Sequence, residues 1–137
     1  MWRLLSLLVA SILLTACAQT MSSTDSGFAL RQESNKHAEL ILQEMSLPAL
    51  QRQLYKHREQ CPIVFEFTMD PRQVHYATVR YGLAEHTALK EQALIDLKAF
   101  SNGKMEVVGY SYYPRQAYLI KAFLEAIEHP ERCPEPN

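Results

Sequence analysis

An apolar run at the N-terminus, Leu4–Leu14, constrains this chain most, because it decides the compartment in which the rest must fold. The run is 11 residues long, follows Arg3 and is interrupted only by Ser6 and Ser11. It is too short to span a membrane, since a helix needs about 20 residues to cross roughly 30 Å of hydrocarbon. A short charged start followed by such a run is typical of a secretory signal peptide. We therefore predict that the mature protein folds outside the cytoplasm.

The end of the run, Leu14-Thr15-Ala16-Cys17, resembles the lipobox of bacterial lipoprotein precursors: a leucine, two small residues and a cysteine. In that family the signal is cleaved before the cysteine, which is then acylated on its sulfur and its new amino group. The resemblance implies removal of residues 1–16 and a lipid anchor on Cys17. Ala18 follows where inner-membrane lipoproteins of the enterobacterial type carry Asp, which implies the outer membrane with the domain facing the periplasm. An ordinary secretory signal is the alternative.

Two cysteines remain after processing, Cys61 and Cys133. An even number of cysteines in an oxidising compartment predicts one disulfide, which would close a loop over most of the mature domain. A Cys2His2 zinc site with His57 and His129 is an alternative, because each histidine precedes its cysteine by four residues. Proline follows both cysteines, so each lies where a helix would end. Free thiols are the third possibility.

Length and charge limit the domain organisation and the class of partner. The chain has 137 residues and a net charge of −1, so it supports one domain and offers no basic field for nucleic acid. Residues 18–27 are small and polar, without periodicity. We therefore predict a signal peptide over 1–16, a lipidated and flexible tether over 17–33, and a single domain over 34–137.

Hydrophobic periodicity predicts four helical segments. The first is capped by Ser34 or Asn35 and runs to Met45, and Pro48 breaks or restarts it. The second carries an apolar stripe from Leu47 to Leu54 and ends near Cys61. The remaining two cover Glu85–Phe100, which has the clearest helical pattern, and the stretch from Pro114 to Pro130.

Alternation and β-propensity predict about three strands. Ile63–Met69 alternates well, and Lys104–Tyr112 is rich in strand-forming residues. Val74–Leu83 is ambiguous: its Val, Tyr and Thr content favours a strand, whereas Asp70, Pro71 and Gly82 would also bound a helix. The prediction is an α+β domain with a small sheet of about three strands packed against helices and tied by one disulfide.

The sequence contains no motif that specifies a catalytic site or a cofactor. It lacks a nucleophile elbow, a P-loop, an HExxH pair and an EF-hand loop. His75, His86, Asp70 and Asp96 are the side chains available for an acid–base pair; separation along the chain does not exclude their meeting, and nothing in the sequence indicates that they meet. We therefore predict no catalytic residues, no cofactor and no metal.

Aromatic residues cluster around the junction between the last strand and the last helix. The cluster consists of Tyr110, Tyr112, Tyr113, Arg115 and Tyr118. Tyrosine and arginine are favoured at protein interfaces, so the cluster is a candidate binding surface. Strand propensity and packing of the rings are the structural alternative.

Three functional classes fit these observations. The first is an accessory lipoprotein that binds another envelope protein; its size, anchor and single disulfide resemble the layout of pilotins, small outer-membrane lipoproteins that assist secretion machines. The second is a peptidoglycan- or glycan-binding module that uses the tyrosine cluster. The third is an inhibitor or immunity lipoprotein that blocks an incoming enzyme.

Overall fold

A computed structural model describes residues 27–135, which form an α+β domain. Its centre is a five-stranded, fully antiparallel sheet in the order β1-β5-β4-β3-β2. The elements are α1 (Gly27–Leu30), β1 (Lys36–Leu42), α2 (Leu47–Gln60), β2 (Ile63–Met69), β3 (Tyr76–Leu83), β4 (Ala93–Ala99), β5 (Met105–Tyr110) and α3 (Ala117–Glu128). The predicted class is confirmed, and the sheet has five strands where the sequence predicted about three.

The two long helices begin and end where the sequence predicts. Ser46 caps α2 by accepting a hydrogen bond from the backbone N–H of Ala49 at 3.3 Å, and Pro48 lies in the first turn. A 3-10 turn over Pro114–Gln116 leads into α3, which ends before Pro130. Neither of these helices, nor α1, is long and apolar enough to cross a membrane.

The predicted helix from Ser34 to Met45 is wrong, because residues 36–42 form β1. Ala38, Leu40 and Leu42 point towards the core, whereas Ile41 on the other face is 46% exposed. Ala38, Ile41, Leu42 and Met45 also match a helical period, so the short segment satisfies both patterns. Pairing with β5 supplies the hydrogen bonds that decide between them.

The predicted helix over Glu85–Phe100 is also wrong, since this stretch contains a 3-10 turn at Leu89–Glu91 and then β4. Strand β4 is central, and Ala93, Ile95 and Leu97 are buried against the helices. Leu94 on the opposite face is buried as well, because Leu30 packs over it. Only the start of the strand is buried on both faces. Residues 95–98 keep the polar–apolar alternation, but the leucine spacing of the longer stretch also fits a helix.

The remaining strand predictions agree with the structure. Residues 63–69 form β2, the ambiguous Val74–Leu83 contains β3, and Lys104–Tyr112 contains β5. Helices α2 and α3 cover one side of the sheet and enclose the main core. We call the opposite side the open face, because the described part of the chain covers it only at one end, through α1 and the residues that follow.

The disulfide prediction is confirmed: Cys61, just after α2, is bonded to Cys133 near the C-terminus. The two sulfurs bind each other, so the Cys2His2 zinc alternative does not hold. His57 instead lies fully buried, with Nδ1 2.7 Å from the Pro130 carbonyl oxygen and Nε2 2.8 Å from the Tyr81 hydroxyl. The carbonyl can only accept, so Nδ1 donates to it and Nε2 accepts from Tyr81.

The folded chain begins before residue 34, the predicted start of the domain. Helix α1 places Leu30 in a small apolar cluster with Leu89 and Leu94, where Leu30 is fully buried. The signal peptide over 1–16, the lipidated Cys17 and the tether as far as residue 26 lie outside the described residues.

Candidate functional site

The open face carries a groove of about 480 Å³ that crosses the central strands. Its floor and walls come from β3, β4 and β5, whose side chains point to this face at alternate positions. These side chains are Tyr76 and Thr78 of β3, Asp96 and Lys98 of β4, and Glu106 and Tyr110 of β5. Arg31, which follows α1, reaches into the groove from one end.

Arg31 and Asp96 form the central contact of the groove. The guanidinium donates to both carboxylate oxygens, with Nε 2.6 Å from Oδ2 and Nη2 2.7 Å from Oδ1. Thr78 joins the pair: its hydroxyl lies 3.1 Å from Arg31 Nη2 and donates to Asp96 Oδ1 at 3.0 Å. A two-pronged pair of this kind fixes the position of Arg31 more firmly than a single contact would. The segment after α1 is thereby held on the sheet.

The same pair affects the pKa values of two groove residues, Arg31 and Tyr110. Its hydrogen bond to Asp96 raises the pKa of Arg31 above its ordinary value, although partial burial lowers it. Burial first, and the neighbouring charge of Asp96 second, raise the pKa of Tyr110. Tyr110 therefore stays neutral at physiological pH and presents a hydroxyl and a ring rather than a charge.

The other end of the groove exposes an aromatic ring beside a cation. The Tyr76 side chain is 44% exposed, and Lys98 Nζ lies 5.8 Å from its ring centroid and 5.1 Å from that of Phe100. Lys98 thus has rings on two sides, an arrangement worth about 0.5–1 kcal/mol at an exposed site. The groove therefore combines exposed rings with hydrogen-bonding groups, the mixture that is typical of recognition surfaces.

The tyrosine cluster predicted from the sequence is divided by the sheet. Tyr110 lines the groove on the open face, and Tyr112 packs in the small cluster around Leu30. Tyr118 lies on α3 and packs against the main core on the helix side of the sheet. Tyr113 is 44% exposed, with the guanidinium carbon of Arg115 5.2 Å from its ring centroid. The structure therefore brings only Tyr113 and Arg115 together as an exposed pair.

The candidate acid–base residues are separated in the same way. Asp96 is bound by Arg31 and Thr78, and Asp70 lies beside Arg72. His86 faces two glutamates in a turn, whereas His75 is exposed just before β3. Within residues 27–135 no hydrogen bond joins either histidine to an aspartate.

The groove itself was not predicted from the sequence. Arg31 falls within the stretch predicted as a tether, and Asp96 falls within the stretch predicted as a helix. Their contact spans 65 positions of the chain, and only the sheet register brings Asp96 next to Thr78.

No model of a protein family matches this chain, and no curated protein matches it.

Proposed function

We propose that this chain is a small non-catalytic lipoprotein of the bacterial outer membrane. Acylated Cys17 would anchor it, and the periplasmic domain would act as an accessory or assembly factor by binding another envelope protein. The lipobox Leu14-Thr15-Ala16-Cys17 supports the anchor. The Cys61–Cys133 disulfide fits a protein that matures in an oxidising compartment.

The groove on the open face is the observation that carries this proposal. Two helices cover the other side of the sheet, whereas this side keeps an exposed ring, a cation and the carboxylate of Glu106 around the Arg31–Asp96 pair. Antiparallel sheets tolerate one face in water, so an open face alone means little. The groove at its centre has side chains fixed on three strands, and this supports the proposal that a partner binds there.

In-cell photo-crosslinking tests the proposal. Benzoylphenylalanine replaces Tyr76 in the groove, and in a matched strain it replaces Tyr113, which lies outside the groove and has the same 44% exposure. Both substitutions put a larger aromatic ring on an exposed site, so neither should disturb the fold. We expect irradiation of intact cells to give one dominant adduct to an envelope protein from the Tyr76 position and a much weaker one from Tyr113.

Equal adducts from both positions, or none from either, would count against a partner on the open face. A strong adduct from Tyr113 alone would move the binding surface to the junction between β5 and α3. Mass spectrometry of the adduct identifies the captured protein. Substitution of Cys17 by alanine in the same strains tests whether capture needs the lipid anchor.

A peptidoglycan-binding module is the second candidate, favoured by the exposed Tyr76 ring beside the hydroxyl of Thr78 and the carboxylate of Asp96. Tyrosine rings stack on sugars, and such side chains bind sugar hydroxyls. This function predicts sedimentation of the purified domain with isolated sacculi and loss of that binding in Tyr76→Ala. Unchanged sedimentation in Tyr76→Ala, or none at all, would dismiss it.

A further inference from the structure

The two edges of the sheet differ in how far they are protected from another strand. At one edge, β1 has an irregular register between Lys36 and Ala38, and Lys36 pairs with Glu33 and Glu39. Irregularities and edge lysines are the usual means by which proteins block unwanted strand pairing. At the other edge, β2 has seven residues in unbroken register with β3 and contains no lysine and no proline. The β2 edge lacks the protection that β1 has.

The hydrogen-bond pattern shows which backbone groups of β2 point away from the sheet. The N–H of Ala84 donates to the carbonyl of Pro62, so Pro62 and Ala84 form a hydrogen-bonded pair. Such pairs alternate along an antiparallel ladder, which places Val64, Glu66 and Thr68 in bonds to β3. The backbone groups of Phe65, Phe67 and Met69 therefore point outwards. Among residues 27–135, none of these three has a backbone hydrogen bond on that side.

The side chains along this edge differ on the two faces. On the helix side, Phe65 and Phe67 are half-buried, and Tyr55 of α2 packs on Phe65 with the ring centroids 5.1 Å apart. The guanidinium of Arg58 lies over both rings, 4.9 Å from the Tyr55 centroid and 5.1 Å from that of Phe65. This side therefore offers an apolar shelf with a positive charge above it, which suits apolar residues and disfavours basic ones.

On the open face, the edge is acidic at its centre. The Glu66 side chain is 64% exposed, and its nearest cation is Arg80 at 3.5 Å. Arg80 also donates to Gln92 and to the carbonyl of Thr87, so it is shared among three acceptors. A residue of an added strand opposite Glu66 would lie about 5 Å from it, where a lysine or arginine is favoured.

We infer that β2 is a docking edge for an extended segment of the envelope partner, which adds to the sheet as a sixth, antiparallel strand. The segment carries apolar side chains opposite Phe65 and Phe67 and a basic side chain opposite Glu66. Backbone hydrogen bonds to the outward groups of β2 hold the segment, and the alternating side chains select it. The inference rests on the proposed function, since it names how the partner would be recognised.

A second copy of this chain is a poorer occupant of the edge. Antiparallel self-pairing centred on Glu66 would place the two carboxylates directly opposite each other, which is destabilising. Registers centred on Phe65 or Phe67 avoid that clash but leave each Glu66 opposite an uncharged residue. The acidic centre of the edge is neutralised only by a basic residue, and β2 itself has none.

Hydrogen exchange of the mature domain with a designed peptide tests the inference. The probe is an acetylated nine-residue peptide of alternating threonine and isoleucine in which the central residue is lysine. We expect it to slow exchange at the amides of Phe65 and Phe67 by about tenfold or more, because these donate outwards and gain a partner. The amides of Glu66 and Thr68 already lie in the ladder and should change little. Amides of β1 serve as the control edge.

Two matched controls separate strand addition from nonspecific binding. N-methylation of the two isoleucines that flank the lysine removes the donors that face β2, and it should abolish protection, whereas N-methylation of the outer threonines should preserve it. Replacing the peptide lysine by glutamate should weaken binding by about fivefold, since each cross-strand charge pair is worth up to about 1 kcal/mol. The variant E66K, on an exposed side chain, should reverse that preference.

Protection confined to β1, or indifference to the position of the N-methyl groups, would overturn the inference. So would protection of Phe65 and Phe67 that rises with protein concentration without peptide, because the occupant would then be a second copy. The proposed function can fail separately. If Tyr76 gives no adduct in cells while the peptide protects β2, the proposed function fails and strand addition to β2 stands. If Tyr76 captures a protein while the peptide does not bind, only strand addition is refuted.

Discussion

The buried hydrogen bond between Tyr81 and His57 gives the sharpest stability prediction. Both residues are fully buried, and the hydroxyl donates to Nε2 at 2.8 Å. Tyr81→Phe deletes one oxygen atom and keeps the ring, which also packs edge-on against Phe123. His57 remains held by the carbonyl of Pro130, so its Nε2 stays buried and loses its only donor. The perturbation therefore isolates one unsatisfied acceptor.

The cost follows from that geometry. A buried acceptor left without a partner destabilises a protein by about 1–3 kcal/mol, so we expect Tyr81→Phe to lose about 2 kcal/mol. That loss is a large part of the 5–15 kcal/mol that stabilises a typical domain. It corresponds to a fall of roughly 8 °C in Tm and of about 1 M in the urea midpoint.

Urea denaturation of the purified chain without residues 1–16, followed by circular dichroism with the disulfide intact, measures this loss. The matched control is Tyr118→Phe, because the Tyr118 ring also packs against the core but its hydroxyl makes no hydrogen bond within residues 27–135. We expect the control to change stability by less than about 0.5 kcal/mol. A loss in Tyr81→Phe no larger than in the control would refute the assigned network.

Three further predictions use the same assay. Burial raises the pKa of Tyr81, so the unfolded chain releases this proton at a lower pH than the folded chain does. The free energy of unfolding should therefore stay constant up to about pH 10 and fall as the pH rises further, less steeply in Tyr81→Phe. Parallel curves of unfolding free energy against pH for the two proteins would contradict this. Reduction of Cys61–Cys133, which closes a separation of 72 residues, should cost about 4 kcal/mol, and a loss below about 1 kcal/mol would contradict the chain-entropy argument. Gly109→Ala places a Cβ 2.6 Å from Ile120 Cγ2 and should cost about 1–3 kcal/mol. The double variant with Ile120→Ala should lose less stability than the sum of the two single variants, because the smaller side chain removes the clash. Losses that add strictly would refute the clash.

Local signals on the sequence were sufficient for the two long helices and for β2. Pro48 and the apolar stripe from Leu47 to Leu54 mark α2, and Ile63–Met69 alternates because this strand lies at an edge with one face against the helices. The disulfide prediction followed from the two cysteines that remain if Cys17 is acylated, because two thiols allow only one pairing. These features depend on neighbours in sequence or on composition, so no knowledge of the tertiary structure was needed.

The errors lie where distant residues decide the structure. Leu30 buries the outer side of Leu94, so the alternation of β4 is confined to residues 95–98, which is too short to outweigh the helical spacing of the leucines. The groove depends on Arg31 reaching Asp96 across the sheet, and the tyrosine cluster is split because Tyr110 and Tyr118 lie on opposite sides of it. Those tyrosines lie close together along the chain, whereas in the fold the strand pleat and the direction of the helix place them on opposite sides of the sheet.

Side-chain footprinting in cell membranes tests the proposal that a partner covers the open face. Hydroxyl-radical oxidation of Tyr76 and Tyr113, which have equal exposure in the free domain, is compared between membranes of cells that express the full chain and the purified chain without residues 1–16. A partner on the open face should lower the oxidation of Tyr76 several-fold in the membranes and leave that of Tyr113 unchanged. Equal oxidation of Tyr76 in both preparations would contradict the proposal, because no partner would then cover the groove in the membranes.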